Sequence, residues 1–429
     1  MDLVNNTTAP LAVASACAWC GFHGDAQHTG VSSVGVAGSK ASVEWTAHAN
    51  GTINGGAALA ADGSVYVGSQ LRRKMKLPFD GAGLLALDGH DGSGKWFFAT
   101  NDSVSVTPAI NPADGTVYFA CDNTGLGTGN ESVVFAVDGA TGAEKWRFDM
   151  ECARPFVVSD DSHLCLPSSP TVDAAGATLY IGSGDDKWFA LDAASGALKW
   201  HFKSTGEAPG TDKPAWNKNG AALSADGGTV YVGEGTFTSD KNHTLWALDG
   251  QTGAVLWQFH SEHGPTAGRI FASPMVAHQR VYVGLSDATI YALDEKTGAT
   301  DWTYATANFE HLAPTLSADG AAVYVGETEG IDDRVWALDA ASGTELWHFG
   351  GEQTYAPLAT LADGAVLVIT GAGDLVALDH ATGKKIWKAD IGDALAAPTA
   401  AIAADGKIIV TTEGENLGRP GRVIAYKTA

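Results

Sequence analysis

Cys17 and Cys20 are separated by Ala18 and Trp19, the spacing of a redox dithiol or of half a zinc site. No second Cys/His pair at metal spacing and no helical pattern follows, so the pair is read as having no metal or redox role. Cys152 and Cys165 flank one long irregular segment, and a loop-pinning disulfide is expected between them. Cys121 makes the count odd, which excludes a complete intrachain framework. Glu310, His311, Arg269 and Tyr355 are the candidates for acid–base work or for clamping an acidic group. Glu327, Glu329, Asp332 and Asp333 offer oxygen ligands for Ca²⁺ without the spacing of a helix-loop-helix calcium site. Arg72-Arg73-Lys74, with Lys76, is the one dense basic run, and a solvated loop is its default reading. No Ser-His-Asp order, phosphate-binding glycine loop or His-Glu-x-x-His motif is present.

These residues sit in an acidic chain of 429 residues, with 26 Lys+Arg against 49 Asp+Glu and a formal charge of −23. Such a balance argues against nucleic acid or an anionic membrane as the main partner, because binding phosphates needs a basic face. Hydrophobic residues make up 45%, enough for a full core. No apolar run approaches the length of a transmembrane helix. Residues 1–20 read as an N-terminal extension with a degenerate targeting segment, since the apolar stretch from Ala9 to Ala18 follows an acidic rather than basic start. Asn-x-Ser/Thr sequons at Asn5, Asn6, Asn50, Asn101, Asn130 and Asn242 point to a secreted or cell-envelope location, extracellular or periplasmic.

The elements that position the candidates are set by a repeat. VFAVDGATGAEKWRF, WFALDAASGALKWHF, LWALDGQTGAVLWQF and IYALDEKTGATDWTY share Ala-(Leu/Val)-Asp-x-x-(Ser/Thr)-Gly-x-x-x-Trp. The motif Trps are Trp96, Trp146, Trp200, Trp257, Trp302, Trp347 and Trp387, spaced by 50, 54, 57, 45, 45 and 40 residues. That period, with alternating apolar strands and Asp-Gly turns, predicts blades of four antiparallel strands. The last copy stops after three strands, and Val43-Glu44-Trp45 supplies the missing outer strand. Residues 21–429 are therefore expected to form one eight-bladed β-propeller, closed by pairing Val43–Thr46 with Val423–Tyr426. Repetition makes the motif residues scaffold. Asp caps a turn, Gly takes a positive φ, the Ala leaves room for an indole, and Trp docks between blades.

The motifs resemble the tryptophan-docking repeats of the pyrroloquinoline-quinone (PQQ) dehydrogenase superfamily, over nearly the whole chain from Phe22 to Lys427. Gly21-Phe22-His23-Gly24-Asp25-Ala26-Gln27-His28-Thr29-Gly30 is similar to the lead-in of PQQ-like repeat proteins, including polyvinyl-alcohol dehydrogenase-like ones. The resemblance implies the propeller fold, and two classes of function. Some members are PQQ- and Ca²⁺-dependent dehydrogenases. Others bind no quinone, such as the eight-bladed scaffold of the bacterial outer-membrane assembly machine. The chain lacks the adjacent Cys-Cys pair of the larger quinoprotein alcohol dehydrogenases and their roofing insertions.

Within a blade whose strands run a to d from the channel outward, the a–b and c–d turns share one rim. Here those turns are nearly uniform. All length variation falls on the opposite rim, in segments such as 69–83, 149–167 and 204–217. Variable loops on a rigid scaffold carry function, so the site is expected at that mouth. Asn54, Arg72, Arg73, Arg154, Trp216 and Lys218 are its candidate binding residues, with Arg269, Glu310, His311 and Tyr355. The leading reading is a module that binds a small molecule, saccharide or protein there. The alternative is a PQQ/Ca²⁺-dependent alcohol or sugar dehydrogenase. A third is a polysaccharide lyase or hydrolase using His311 or Tyr355 with Arg269.

Overall fold

The computed structural model describes residues 17–35, 38–49, 51–70, 81–122, 132–150, 167–184, 187–203, 220–233, 244–261, 272–285, 287–306, 310–311, 313–328, 334–350, 358–392, 400–414 and 420–429. Each repeat forms one antiparallel sheet, and eight sheets make the ring. Blade 1 comprises Ala58–Ala60, Ser64–Ser69, Gly83–Asp88 and Gly94–Ala99. Blades 2 to 7 follow at 109–149, 171–203, 222–260, 275–305, 315–350 and 359–390. Blade 8 joins Ala401–Ile402, Ile408–Thr412 and Arg422–Thr428 to the early strand Ala41–His48. At that seam Val43 pairs with Tyr426, Trp45 with Ala425 and Ala47 with Val423, as the repeat count requires. Pairing the two ends leaves no open edge between first and last blade.

Neighbouring blades are joined by the motif Trp. Trp45, Trp96, Trp146, Trp200, Trp257, Trp302 and Trp347 each donate Nε1–H to a carbonyl at the next blade's c–d turn, at 2.7 to 3.2 Å. The space for the indole is not made by the motif Ala, as the sequence suggests. That Ala lies opposite the Trp within its own blade, as Ala136 does to Trp146 and Ala247 to Trp257. The indole instead lies over the turn Gly of the next blade. A Cβ added to Gly92, Gly142, Gly196, Gly253, Gly298, Gly343 or Gly383 would come within 2.5 to 2.7 Å of it. This Gly also has φ near +70°. One residue thus answers both a backbone and a packing demand.

A second donor reaches the same carbonyl. Tyr66, Tyr118, Tyr180, Tyr231 and Tyr282, on the b strands of blades 1 to 5, bond the acceptors used by Trp96, Trp146, Trp200, Trp257 and Trp302. At the closing seam Ile409 stands where those blades have Tyr, and Lys407 Nζ bonds Gly89 O beside Trp45. The motif Asp caps its turn through the hydroxyl. Asp294 Oδ1 accepts from Thr297 N at 2.8 Å and Oγ1 at 2.7 Å, and that side-chain bond first of all holds its pKa down.

Two outcomes follow. Trp257→Ala should destabilise by about 3–5 kcal/mol in denaturant titration, because it removes a large buried ring, while Tyr231 keeps the Glu295 carbonyl paired. A loss under about 1 kcal/mol would contradict blade docking. Deleting residues 41–49 should collapse the melting temperature, and an unchanged transition would contradict closure by this strand.

Candidate functional site

The channel has two different ends, and the first is closed by the chain itself. Cys17–Trp19 forms a strand on the inner edge of blade 1, with Cys17 opposite Ala60 and Trp19 opposite Leu59. Residues 20–34 then cross the base. Backbone carbonyls of Cys20, Ala26, Gln27, Thr29 and Gly30 accept from the N–H groups of Ile110, Leu223, Val276, Leu316 and Thr360 in turn, at 2.7 to 2.9 Å. Those donors belong to the inner strands of blades 2, 4, 5, 6 and 7. Each lies just before the a–b turn, so this plug seats on the uniform rim. It satisfies inner-edge N–H groups that the blades cannot pair among themselves.

The plug turns tightly through four residues in the left-handed region. His23, Gly24, His28 and Gly30 all have positive φ, between 55° and 84°. Asp25 takes the Thr29 N–H at 3.0 Å and also binds the Thr29 hydroxyl. His28 bridges two blades, with Nδ1 3.2 Å from Pro274 O in blade 5 and Nε2 3.5 Å from Thr171 Oγ1 in blade 3. A carbonyl only accepts, so His28 carries its proton on Nδ1. The same reasoning applies to His23, whose Nδ1 lies 3.1 Å from His28 O. Burial lowers His23 to about 4, and burial with the neighbouring His23 lowers His28 to about 3. Burial pushes the Asp25 carboxyl up, against the pull of its Thr29 bonds.

The opposite end is lined by the starts of the inner strands, which are small and polar. Gly56 N donates to Thr107 Oγ1 (2.7 Å), Thr107 N to Ser169 Oγ (3.2 Å) and Gly220 N to Ser273 Oγ (2.8 Å). Asn54 lies half-buried here, just ahead of the first inner strand. Blade 6 rises higher than a plain four-stranded blade. Glu310–His311 is a short strand rather than a loop, and it pairs with the extended end of Ala322–Thr328. Its register sets His311 opposite Glu327, and Glu310 opposite Thr328. Two candidates from separate lists, one for proton transfer and one for Ca²⁺, thereby occupy facing positions. Glu327 is buried. Arg72, Arg73, Arg154, Trp216, Lys218, Arg269, Tyr355, Glu329, Asp332, Asp333, Cys152 and Cys165 lie outside the described residues.

Besides the plug, sequence reasoning missed two features near the channel ends. Cys17 and Cys20 are joined in a disulfide. On the variable rim Asp287 accepts from Tyr291 OH at 2.7 Å and binds Ser261 Oγ, while its Oδ1 takes the Thr289 N–H. The Ser-Asp-Ala that follows the b strand of blade 5 was the available signal for the latter. Among the described residues no group of three or more His, Cys, Asp or Glu could hold a metal ion.

A family model described as outer membrane protein assembly factor BamB, built on PQQ-like repeats, matches residues 130–331, 265–348 and 331–428. The chain belongs to the PQQ-like repeat family. Quinohemoprotein alcohol dehydrogenase ADH IIB of Pseudomonas putida is 32% identical over 174 residues, 40% of this chain and 22% of that protein. Outer membrane protein assembly factor BamB of Yersinia pestis is 25% identical over 284 residues, covering 66% of this chain and 57% of that one. This PQQ-like propeller thus spans a fifth to just over half of these curated relatives. The fold is also that of the quinohemoprotein alcohol dehydrogenase from Comamonas testosteroni, with a TM-score of 0.76 at 15% identity over 98% of this chain and 82% of that one. No helix among the described residues is long and apolar enough to cross a membrane.

The plug histidines generate a pH test. Their folded pKa values lie below the ordinary 6.5, so on acidification the unfolded chain takes up protons first. Their contribution is complete above about pH 6.5 and is lost progressively toward about pH 4 for His23 and about pH 3 for His28. Asp25 has the opposite sign, since a raised carboxyl favours the folded state as it protonates. The turn aspartates, held low, lose stability only below their unfolded value near 4. The histidine contribution should therefore fall between pH 7 and 5, and His28→Asn, which tolerates left-handed φ, should lose less melting temperature over that range than the parent protein. Equal slopes in both proteins would contradict a buried neutral His28.

Proposed function

We propose that this propeller is a binding module whose occupant, a small molecule, saccharide or protein, enters by the loop-rich rim. The observation that carries this reading is the plug. Residues 17–34 sit across the uniform rim, which leaves the opposite rim, to which the sequence assigns the long connections, as the way in. His311 and Glu327, paired at the top of blade 6, stand at that mouth, with Asn54 on blade 1. Arg72, Arg73, Arg154, Trp216, Lys218, Arg269 and Tyr355 belong to its loops by sequence position. An envelope or extracellular location accords with the sequons and with the assembly-factor relative.

A second reading, PQQ/Ca²⁺-dependent oxidation of an alcohol or sugar, is favoured by the likeness to quinohemoprotein alcohol dehydrogenases in sequence and fold. PQQ would supply the two-electron acceptor. It is a flat tricarboxylate, and it needs cations and oxygen ligands for its metal. The described mouth supplies glycine N–H groups and hydroxyls, most of them already engaged between blades, with the buried Glu327 carboxylate and Asn54 beside them. In this reading Glu327 and Asn54 would supply oxygen ligands for the metal, the loop residues Arg72, Arg73, Arg154 and Lys218 the cations, and no chemical step is derived through the quinone.

Calorimetric titration with PQQ plus Ca²⁺, a polyvinyl alcohol oligomer and an acidic oligosaccharide separates the readings. Any ligand that binds should lose about tenfold in affinity, or about 1.4 kcal/mol, in His311→Ala and Arg269→Ala at unchanged melting temperature. Asp294→Ala, on the uniform rim, should melt earlier and bind normally. The reverse pattern would overturn the assignment of rims. Dye reduction with an alcohol, only after PQQ and Ca²⁺ are added, would move the conclusion to the dehydrogenase.

A further inference from the structure

We propose that Cys17–Cys20 is a redox-exchanging disulfide, and that it takes a low-molecular-weight thiol of the glutathione class from a cavity at the uniform rim. The bond does little as a staple. It encloses only Ala18 and Trp19, and so small a ring removes little freedom from the unfolded chain. The same four residues are already fixed without it. Trp19 is fully buried, Cys17 and Trp19 pair with blade 1, Cys20 N bonds Gly24 O, and Ile110 N bonds Cys20 O. Noncovalent contacts hold the backbone on both sides of the bond.

The surroundings suit exchange. Both sulfur-bearing residues line a cavity of about 130 Å³ between the plug and blades 2 and 3, with Phe22, Ile110, Pro112 and Pro170 in its walls. The pair is asymmetric, since Cys17 is buried and Cys20 is half-buried. An incoming sulfur therefore reaches Cys20 first, with Cys17 as the resolving residue. Cys-x-x-Cys is also the spacing used by disulfide oxidoreductases, in which it favours the thiolate. The remaining described cysteine, Cys121, is free and buried, and burial pushes its thiol up to about 12, which keeps it inert.

The step balances. A thiolate attacks Cys20 Sγ, the Cys17–Cys20 bond breaks, a mixed disulfide forms on Cys20, and Cys17 leaves as a thiolate that takes up a proton. A second thiolate attacks the incoming sulfur, releasing the oxidised thiol dimer and the Cys20 thiolate, which is protonated in turn. Two thiols thus deliver two electrons to the protein, and the oxidised dimer reverses the sequence. This site lies on the opposite rim from the proposed ligand mouth and does not depend on that reading.

The test is to equilibrate the folded full chain in buffers of varied reduced-to-oxidised glutathione ratio, then quench, alkylate and read each cysteine by peptide mass spectrometry. Cys17–Cys20 should open and reclose reversibly while Cys121 stays unlabelled, with the melting temperature moving by less than about 2 °C. With oxidised glutathione, Cys17→Ser should collect the adduct on Cys20 at least about tenfold faster than Cys20→Ser collects it on Cys17. Opening only after denaturant is added, a large drop in melting temperature on reduction, or equal adduct rates in the two variants would each overturn the proposal. The wild-type measurement stands even if a variant fails to fold.

Discussion

Seven of the eight blade junctions each depend on one carbonyl, the oxygen at a c–d turn that receives the preceding blade's indole N–H. In blades 1 to 5 a buried Tyr hydroxyl reaches the same oxygen, so two large rings from different strands converge on one acceptor. A buried carbonyl has two lone pairs, and leaving it unpaired costs more than either bond returns. The turn must therefore present its oxygen inward and its Gly face flat to the indole. This single demand explains why Asp, Ser/Thr, Gly and Trp recur together. Each serves the geometry of that one junction.

The consequence for function is a division between rims. The rim that carries the junction turns cannot vary, because each turn is both a local cap and a neighbour's docking surface. The opposite rim carries no such duty and is free to accept insertions. Closing the channel at the constrained rim with residues 17–34 completes the division. The plug needs no side-chain complementarity for its main contacts, since it offers backbone carbonyls to inner-strand N–H groups. Its own side chains are then left for other work. Phe22 stacks on His23 and meets His28 edge-on, while Cys17–Cys20 faces the cavity beside them.

The blade count and the seam were legible in the sequence because each rests on a periodic signal. Trp45 declared the missing strand by standing alone, and Ala425-Tyr426-Lys427 declared the last blade by lacking a turn. The Tyr hydroxyl's role was not legible, because Tyr within VYVG reads equally as a core aromatic in a strand. The seat of the indole was assigned to Ala for a similar reason: Ala and Gly both mean room, and only the register separates them. The plug left no periodic trace. Successive residues serve different blades, so nothing in residues 20–34 repeats. His311 looked like a loop residue because two-residue strands fall below any pattern. Its position opposite Glu327 follows from the extended strand of blade 6, a length that the sequence of that loop does not mark.

The division between rims rests on the plug, and backbone hydrogen exchange reports on it residue by residue. Gly30→Val keeps the full chain but brings a side chain onto Thr315, since a Cβ there would lie 2.8 Å from its Cγ2, and imposes φ of +68° on a β-branched residue. If the plug is the partner of the inner strands, the amides of Val276, Leu316 and Thr360 should exchange about tenfold or more faster in this variant, with mid-blade amides unchanged. Unaltered protection of those three amides would contradict a channel closed by its own N-terminal segment.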